Sequence, residues 1–236
     1  MLTITNVFAI DGAAPVTKER LDEIANGSDE ERIINERIRS EIIKNRKLLN
    51  QSSTQSNGEW WIQTLYVPYY AQENFTTCGA ACARMVVKYL SGVEYTESSI
   101  VSEIVNAGGA PVGGGGLYLK GVMDYVNSKQ SVWPYLDNYD KDFTAFTNRL
   151  YGTVVDMKCP VIVGVLESAS PEWKFCYDQY LGRHFVVINQ FRTDKAYVHV
   201  MDPYAMFVGR PEYREYTISM QAVYEGYSNA NVGYMW

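Results

Sequence analysis

Cys78 is the residue whose type and position most favour covalent chemistry. It follows a pair of threonines and precedes Gly79, so the pattern predicts it in the first turn of a helix that runs to Leu90. Unpaired backbone N–H groups and the helix dipole stabilise an anion there, and hence a nucleophilic thiolate. Gln72, six residues earlier, is a candidate to donate a side-chain N–H to an oxyanion beside the Cys78 backbone N–H. The alternative is a small core residue, because free cysteines are often buried.

A thiol nucleophile needs a base, and the chain has two histidines, His184 and His199. Residues 184–191 and 196–204 are typical of two strands, which we expect to form an antiparallel hairpin. The predicted opposed pairs are His184 with Asp202, Val186 with Val200, and Ile188 with Val198. Side chains alternate faces along a strand, so His184 and Asp202 share one face and His199 points to the other. A carboxylate opposite His184 could hold one ring nitrogen and leave the other for a thiol. The alternative is a structural ion pair.

The elements that must position these residues change in type along the chain. Residues 60–70 are rich in aromatic and β-branched side chains and are predicted to be extended. Helical periodicity comes first, over 78–90, 96–109 and 117–129. Strand patterns come later, over 160–167, 184–191, 196–204 and 213–219. Helices followed by strands predict an α+β domain with segregated layers.

A highly charged segment precedes this domain. Ile34, Ile38 and Ile42 repeat every four residues, which predicts an amphipathic helix with a narrow apolar stripe, and Ser28 to Glu31 resembles an N-terminal capping box. Residues 50–58 form a polar linker. We therefore divide the chain into a helical extension with its linker, 1–58, and a compact domain, 59–236. The extension either packs as a spacer or serves as a pro-region or lid.

Composition and spacing exclude several function classes. The net charge of −6 argues against nucleic acid as a partner, because phosphate binding needs a concentrated basic surface. No apolar run is long enough to span a membrane. The glycines at 113–116 lack the Lys-Ser/Thr of a phosphate loop, so we expect a flexible loop there, for which the rim of a cleft is one location. The cysteines, which lack zinc-site spacing, are Cys78, Cys82, Cys159 and Cys176. We therefore expect neither a metal nor a cofactor.

The compartment and the oligomeric state stay open. Residues 7–9, Val-Phe-Ala, would suit a signal peptidase, which favours a secreted or cell-surface protein. The segment lacks a basic start, and an ordinary N-terminus in the cytoplasm is the alternative.

The ordered motifs "YAQENFTTCGAACARMVVKYLSG", "CPVIVGV", "GRHFVVINQF" and "YVHVMDPY" resemble those of papain-like cysteine peptidases. The resemblance is nearest to the bacterial bacteriocin-processing, double-glycine peptidases (peptidase C39-like) and their stand-alone relatives. It implies an α+β papain-like cysteine proteinase fold with a helical N-terminal half and an antiparallel C-terminal sheet. By the same resemblance, Cys78 is the nucleophile, His184 the general base and acid, Asp202 the residue that orients it, and Gln72 the oxyanion donor.

The implied activity is hydrolysis of a peptide or protein substrate through a thioester. Two alternatives remain: an amide hydrolase or acyltransferase acting on a non-protein amide, and a non-catalytic papain-like binding module. The complete set of four residues favours an enzyme. Exporter-linked relatives carry membrane and ATPase domains that have no counterpart in this sequence, so double-glycine specificity is not assumed.

Overall fold

The protein is described here by a computed structural model that covers residues 12–50, 61–62, 64–112, 115–174 and 182–236. Six strands form one sheet in the order β1-β6-β2-β3-β4-β5, and each neighbouring pair is antiparallel. The strands are β1 (Asp137–Asn138), β2 (Val161–Leu166), β3 (Arg183–Phe191), β4 (Tyr197–Met201), β5 (Glu215–Ser219) and β6 (Tyr234–Met235). The α+β class is therefore confirmed.

The helices lie mostly before the sheet in the chain, as predicted. They are α1 (Lys18–Asn26), α2 (Glu30–Asn50), α3 (Cys78–Ser91), α4 (Glu97–Asn106), α5 (Leu119–Lys129), α6 (Phe143–Tyr151), α7 (Pro171–Lys174), α8 (Tyr204–Phe207) and α9 (Met220–Ala230). A π-helical turn, Gly152–Asp156, continues α6, and α9 packs against β2. The sequence reading did not include α6 or α9. None of the described helices is both long and apolar enough to cross a bilayer.

Helix α3 carries Cys78 and is buried between α5 and β3. Its small residues allow this close packing. A Cβ at Gly79 would lie 3.0 Å from Val122 Cγ2 and 3.1 Å from Phe185 Cδ2. The missing side chain of Gly79 therefore serves core packing. Gly92 ends the helix in the left-handed conformation, with φ of 72°.

The predicted hairpin forms, but its register differs from the prediction. The opposed pairs are Val187 with Met201, Ile188 with Val200, Gln190 with His199, and Phe191 with Val198. The prediction placed Ile188 opposite Val198 and Val200 opposite Val186. Each predicted partner is two positions from the observed one, so those pairs were wrong. The turn between Arg192 and Tyr197 shifts the pairing by three residues from the prediction. A β-bulge at Asn189, whose backbone and side chain instead bond Leu65 in the extended segment before α3, reduces the shift to two. A shift of two residues near His184 still leaves His184 and Asp202 on one face.

The extension contains two described helices where the sequence predicted one. Gly27 separates α1 from α2 in the left-handed conformation, with φ of 63°. Asp29, rather than the predicted Ser28, caps α2 by accepting a 3.1 Å hydrogen bond from the Arg32 backbone N–H. The linker at 50–58 lies outside the described residues apart from Asn50. The division of the chain at residue 58 stays a prediction.

The described part of the extension packs against the rest of the chain. Arg20 in α1 makes two hydrogen bonds to the buried Asp137 carboxylate, at 2.8 and 2.7 Å. Arg39 in α2 stacks 3.5 Å from the centre of the Trp236 ring. These contacts hold α1 and α2 near the strands β1 and β6.

Candidate active site

Cys78 is the first residue of α3 and its side chain is completely buried. The preceding Thr77 does not cap the helix with its side chain, because its hydroxyl oxygen accepts a hydrogen bond from the Asn74 N–H and donates one to the Asn74 carbonyl. His184 is the second residue of β3, and the Cys78 sulfur lies close enough to raise the pKa of its imidazole. The early helical half and the late sheet therefore meet at these two side chains.

His184 is held on its other side by Asp202. Its Nε2 lies 2.8 Å from Asp202 Oδ1, and both side chains are buried. Burial lowers the pKa of His184, but the Asp202 carboxylate and the adjacent Cys78 sulfur outweigh it, so the pKa is raised well above its usual value. This arrangement favours the imidazolium form of His184 beside the Asp202 carboxylate.

Residues next to Asp202 fix its carboxylate. The Tyr204 backbone N–H donates to Oδ1 over 2.9 Å, and the Tyr216 hydroxyl lies 3.5 Å from Oδ2. The Tyr69 hydroxyl donates to the Asp202 backbone carbonyl over 2.8 Å. The Asp-Pro-Tyr sequence thus forms a turn in which Asp202 accepts a bond from the residue two positions later.

His199 lies away from these residues. Its Nδ1 is 2.9 Å from Asn189 Oδ1, at the bulge of β3, and burial lowers its pKa. The side-chain parity that distinguished His184 from His199 is thereby confirmed.

Gln72 is buried close to the same turn but is not bonded to Cys78. Its backbone N–H donates to the Pro203 carbonyl over 3.0 Å, and its side-chain Nε2 donates to the Asn74 carbonyl over 2.7 Å. The first bond ties the loop before α3 to the Asp202 turn. The role of Gln72 as an oxyanion donor stays a prediction.

Glu167 is an acidic residue at the site that the sequence reading missed. It directly follows β2, in which Val165 lies opposite His184. The side chain is 1% exposed, and neither carboxyl oxygen has a hydrogen-bond partner among the described residues. Burial and the Asp202 charge raise its pKa well above the usual value, so Glu167 is held in its neutral form.

Three of these side chains could together approach a metal ion. One ligand atom from each of Glu167, His184 and Asp202 lies within 4.8 Å of the others. In the described geometry His184 Nε2 is already bonded to Asp202 Oδ1, and burial raises the pKa of Glu167, which disfavours its charged form. The residues do not have the thiolate and imidazole set of a structural zinc site.

Comparison with known proteins decides the family. A family model described as "Peptidase_C39 like family" matches residues 64–232, which is most of the chain and includes all four predicted site residues. The chain belongs to this family. No curated protein sequence matches it.

Several solved structures resemble the C39-like chain at low identity. The peptidase domain of Streptococcus ComA, a bi-functional ABC transporter involved in quorum sensing, is 14% identical, with a TM-score of 0.47 over 72% of this chain and 97% of that one. A double glycine motif protease from an AMS/PCAT transporter, in complex with the leader peptide, is 15% identical, with a TM-score of 0.45 over 75% and 96%. The ragweed Amb a 11 cysteine protease, in its proform, is 12% identical, with a TM-score of 0.47 over 80% and 67%.

The C39-like site is covered by residues from the start of the described chain. Cys78 Sγ lies 3.1 Å from the carbonyl oxygen of Gly12, within hydrogen-bonding reach of a thiol. The Gly12 backbone N–H donates over 2.9 Å to the carbonyl of Arg183, the residue before His184. The Gly12 carbonyl thus lies directly against the buried sulfur of Cys78.

The other cysteines of the C39-like chain do not reach this site as ligands or nucleophiles. Cys82 is completely buried in the core, and its Sγ lies 3.3 Å from the Phe185 carbonyl oxygen, as expected of a packing residue. Cys159 is also buried, with its Sγ 3.3 Å from the Met157 carbonyl oxygen. Cys176 lies outside the described residues.

Proposed function

We propose that the chain is a cysteine peptidase that hydrolyses peptide bonds through a Cys78 thioester. The observation that carries the proposal is the buried, connected series of Cys78, His184 and Asp202. The raised pKa of His184 shows that its imidazole holds a proton well, so it can accept the proton of Cys78. A thiolate is the nucleophilic form of cysteine, so this pairing prepares the sulfur for attack.

The steps follow from the positions of the side chains. The Cys78 thiolate attacks the substrate carbonyl carbon, and the carbonyl oxygen becomes an oxyanion. The Cys78 backbone N–H and the Gln72 amide are the proposed donors to that oxyanion. An amide NH₂ has two N–H groups, and Gln72 uses one for Asn74.

His184 then transfers its proton to the departing amine, and the carbon–nitrogen bond breaks. His184 next takes a proton from water, and the resulting hydroxide attacks the thioester and releases the acid. Asp202 keeps the imidazole in one orientation and stabilises its positive charge during both steps. This role resembles that of the acid in other nucleophile–histidine–acid sites.

A non-catalytic binding module is the competing function, favoured by the complete burial of Cys78. To distinguish a peptidase from a binding module, the chain is incubated with a diverse peptide library in H₂¹⁸O and the products are analysed by mass spectrometry. We expect new peptides that carry ¹⁸O in their terminal carboxylates, which distinguishes hydrolysis from acyl transfer to another amine.

The variants Cys78→Ala and His184→Ala should lower this hydrolysis by at least about 10³-fold. His199→Ala is the matched control, because its ring bonds the bulge at Asn189 and lies outside the site. Cleavage that persists in Cys78→Ala, or that is lost equally in His199→Ala, would contradict the proposal.

A further inference from the structure

The segment that covers Cys78, residues 12–16, lies across the site as an extended peptide. Its backbone N–H groups at alternate residues bond three separate parts of the domain: Gly12 to the Arg183 carbonyl at 2.9 Å, Ala14 to Leu117 at 3.0 Å, and Val16 to Asn231 at 2.8 Å. Ala13 forms a parallel bridge with Leu117. We call residues 12–16 the cleft segment. Main-chain bonding of an extended strand is a common way for proteins to bind peptides.

The Gly12–Ala13 peptide bond is the part of the cleft segment nearest the sulfur. The Gly12 oxygen is 3.1 Å from Cys78 Sγ, and a C=O bond is about 1.2 Å long, so the carbonyl carbon is within about 4.3 Å of the sulfur. Reaction requires approach to about 3–3.5 Å. The remaining displacement is therefore about 1 Å or less, and it requires the carbonyl to turn its carbon towards the sulfur.

Gly116 shows how closely the domain encloses this peptide bond. A Cβ at position 116 would lie 2.2 Å from both the carbonyl carbon and oxygen of Gly12, and 2.4 Å from the Ala13 nitrogen. Only a glycine at 116 leaves room for the Gly12–Ala13 bond in this place. The last glycine of the 113–116 run thus borders the site.

From these contacts we infer that the chain cleaves itself between Gly12 and Ala13, with Cys78 acting on the peptide bond of its own cleft segment. The inference rests on the proposed function and names a substrate for it. The cleft segment lies outside residues 64–232, the part of the chain that the family model matches.

The reaction balances within the chain and one water molecule. The Cys78 proton moves to His184, which removes the S–H···O contact with Gly12 and frees the carbonyl to turn. The thiolate forms a bond to the Gly12 carbon, the bond to the Ala13 nitrogen breaks, and the proton on His184 goes to that nitrogen. Water then hydrolyses the thioester, so that residues 1–12 leave with a terminal carboxylate and residues 13–236 begin at Ala13.

Self-cleavage would uncover Cys78 while the extension stays attached. The new N-terminus at Ala13 is followed by α1 and α2, which remain bonded to the domain through Arg20 and Asp137. Release of residues 1–12 removes the carbonyl that lies against the sulfur. The site would then become available to peptides from other molecules.

The test follows the full chain by intact mass and N-terminal sequencing after expression and during incubation. We expect wild type to yield a chain that begins Ala13-Ala14-Pro15, and Cys78→Ala expressed in parallel to retain residues 1–12. The fraction cleaved per unit time should not change over a 100-fold dilution. Isotope-labelled Cys78→Ala chain mixed with wild type should stay intact. Cleavage of the labelled Cys78→Ala chain, or a cleavage rate that rises in proportion to protein concentration, would contradict a reaction within one molecule.

Two glycine variants test the geometry. Gly116→Ala should slow self-cleavage at least about 10-fold, which corresponds to about 1.4 kcal/mol of added barrier. Gly152→Ala, whose Cβ would meet its nearest atom at 3.8 Å, is the matched control and should cleave within about 2-fold of wild type. A folded Gly116→Ala chain is recognised by iodoacetamide labelling of Cys78 but not of the buried Cys82. Equal rates in the two variants would overturn the proposed path of the cleft segment.

The peptide-library assay separates this inference from the proposed function. A wild-type chain that keeps residues 1–12 yet hydrolyses library peptides through Cys78 overturns self-cleavage and leaves the peptidase in place. A chain that does neither overturns both.

Discussion

Replacing Glu167 by glutamine should remove a loss of stability that the buried carboxyl causes as the pH rises. The side chain is 1% exposed, its two oxygens have no hydrogen-bond partners in the described part of the chain, and the charges that face it are Asp202, His184 and Cys78. Burial, followed by the Asp202 charge, raises its pKa well above the usual value. In the folded chain Glu167 therefore keeps a proton that it releases at about pH 4.3 in the unfolded chain.

The magnitude follows from proton linkage. Between the unfolded pKa and the raised folded pKa, the folded state binds one more proton than the unfolded state. The free energy of unfolding then falls by about 1.4 kcal/mol for each pH unit in that window. Stability from this group is fully present below the unfolded pKa and is lost as the pH rises through the folded pKa. Glutamine cannot ionise, so the free energy of unfolding of the variant lacks this dependence on pH. Burying the amide of glutamine changes that free energy by an amount that does not vary with pH.

The assay is urea unfolding of wild type and Glu167→Gln at half-unit steps from pH 5 to pH 8. Both chains carry Cys78→Ala, which prevents reaction during the measurement. The difference in unfolding free energy between variant and wild type should grow with pH by about 1.4 kcal/mol per unit until Glu167 ionises in the folded chain. Glu19→Gln, which removes an exposed carboxylate of α1, is the control and should leave the slope unchanged. A difference that stays constant from pH 5 to pH 6 would refute the neutral, buried state of Glu167.

Two further predictions concern buried charges. Arg20→Met leaves the fully buried Asp137 without its main partner, so it should lower the free energy of unfolding in urea by about 3–5 kcal/mol. Lys18→Met removes a partner from the exposed pair with Asp22 and should change that free energy by less than about 1 kcal/mol. Similar losses in the two variants would contradict the docking of α1. Asp202→Asn should lower the pKa of His184 measured by NMR titration, because burial still lowers that pKa and the carboxylate that raises it is lost. An unchanged pKa would show that Asp202 does not hold the imidazolium.

The features that the sequence predicted best depend on local periodicity. Alternation along β3 and β4 distinguished His184 from His199, and that result survives a register shift because two residues restore the same face. The register itself depends on the turn between Arg192 and Tyr197 and on the bulge at Asn189, which together leave a net shift of two residues beside His184. That bulge is stabilised by bonds to Leu65, a residue 124 positions away, and no pattern within the hairpin indicates it.

Glu167 was missed because its role depends on a pairing between separate strands. In the sequence it is one polar residue at the end of an apolar run, which is typical of a strand leaving the core. Only the register of β2 with β3, in which Val165 lies opposite His184, brings it beside the imidazole. A buried acid of this kind could have been suspected had the β2–β3 register been known.

A completely buried cysteine is, by itself, more typical of a core residue than of a nucleophile. Cys82 fits that description, since it packs one helical turn away and its sulfur contacts only a backbone carbonyl of β3 among the bonds described. Cys78 differs in two respects: its sulfur is one of the groups that raise the pKa of His184, and a carbonyl oxygen 66 residues earlier in the chain lies against that sulfur. A cover made of the chain's own N-terminal peptide can be removed by a single cleavage, whereas core packing cannot. The burial of Cys78 is therefore compatible with a nucleophile whose first substrate is the peptide that hides it.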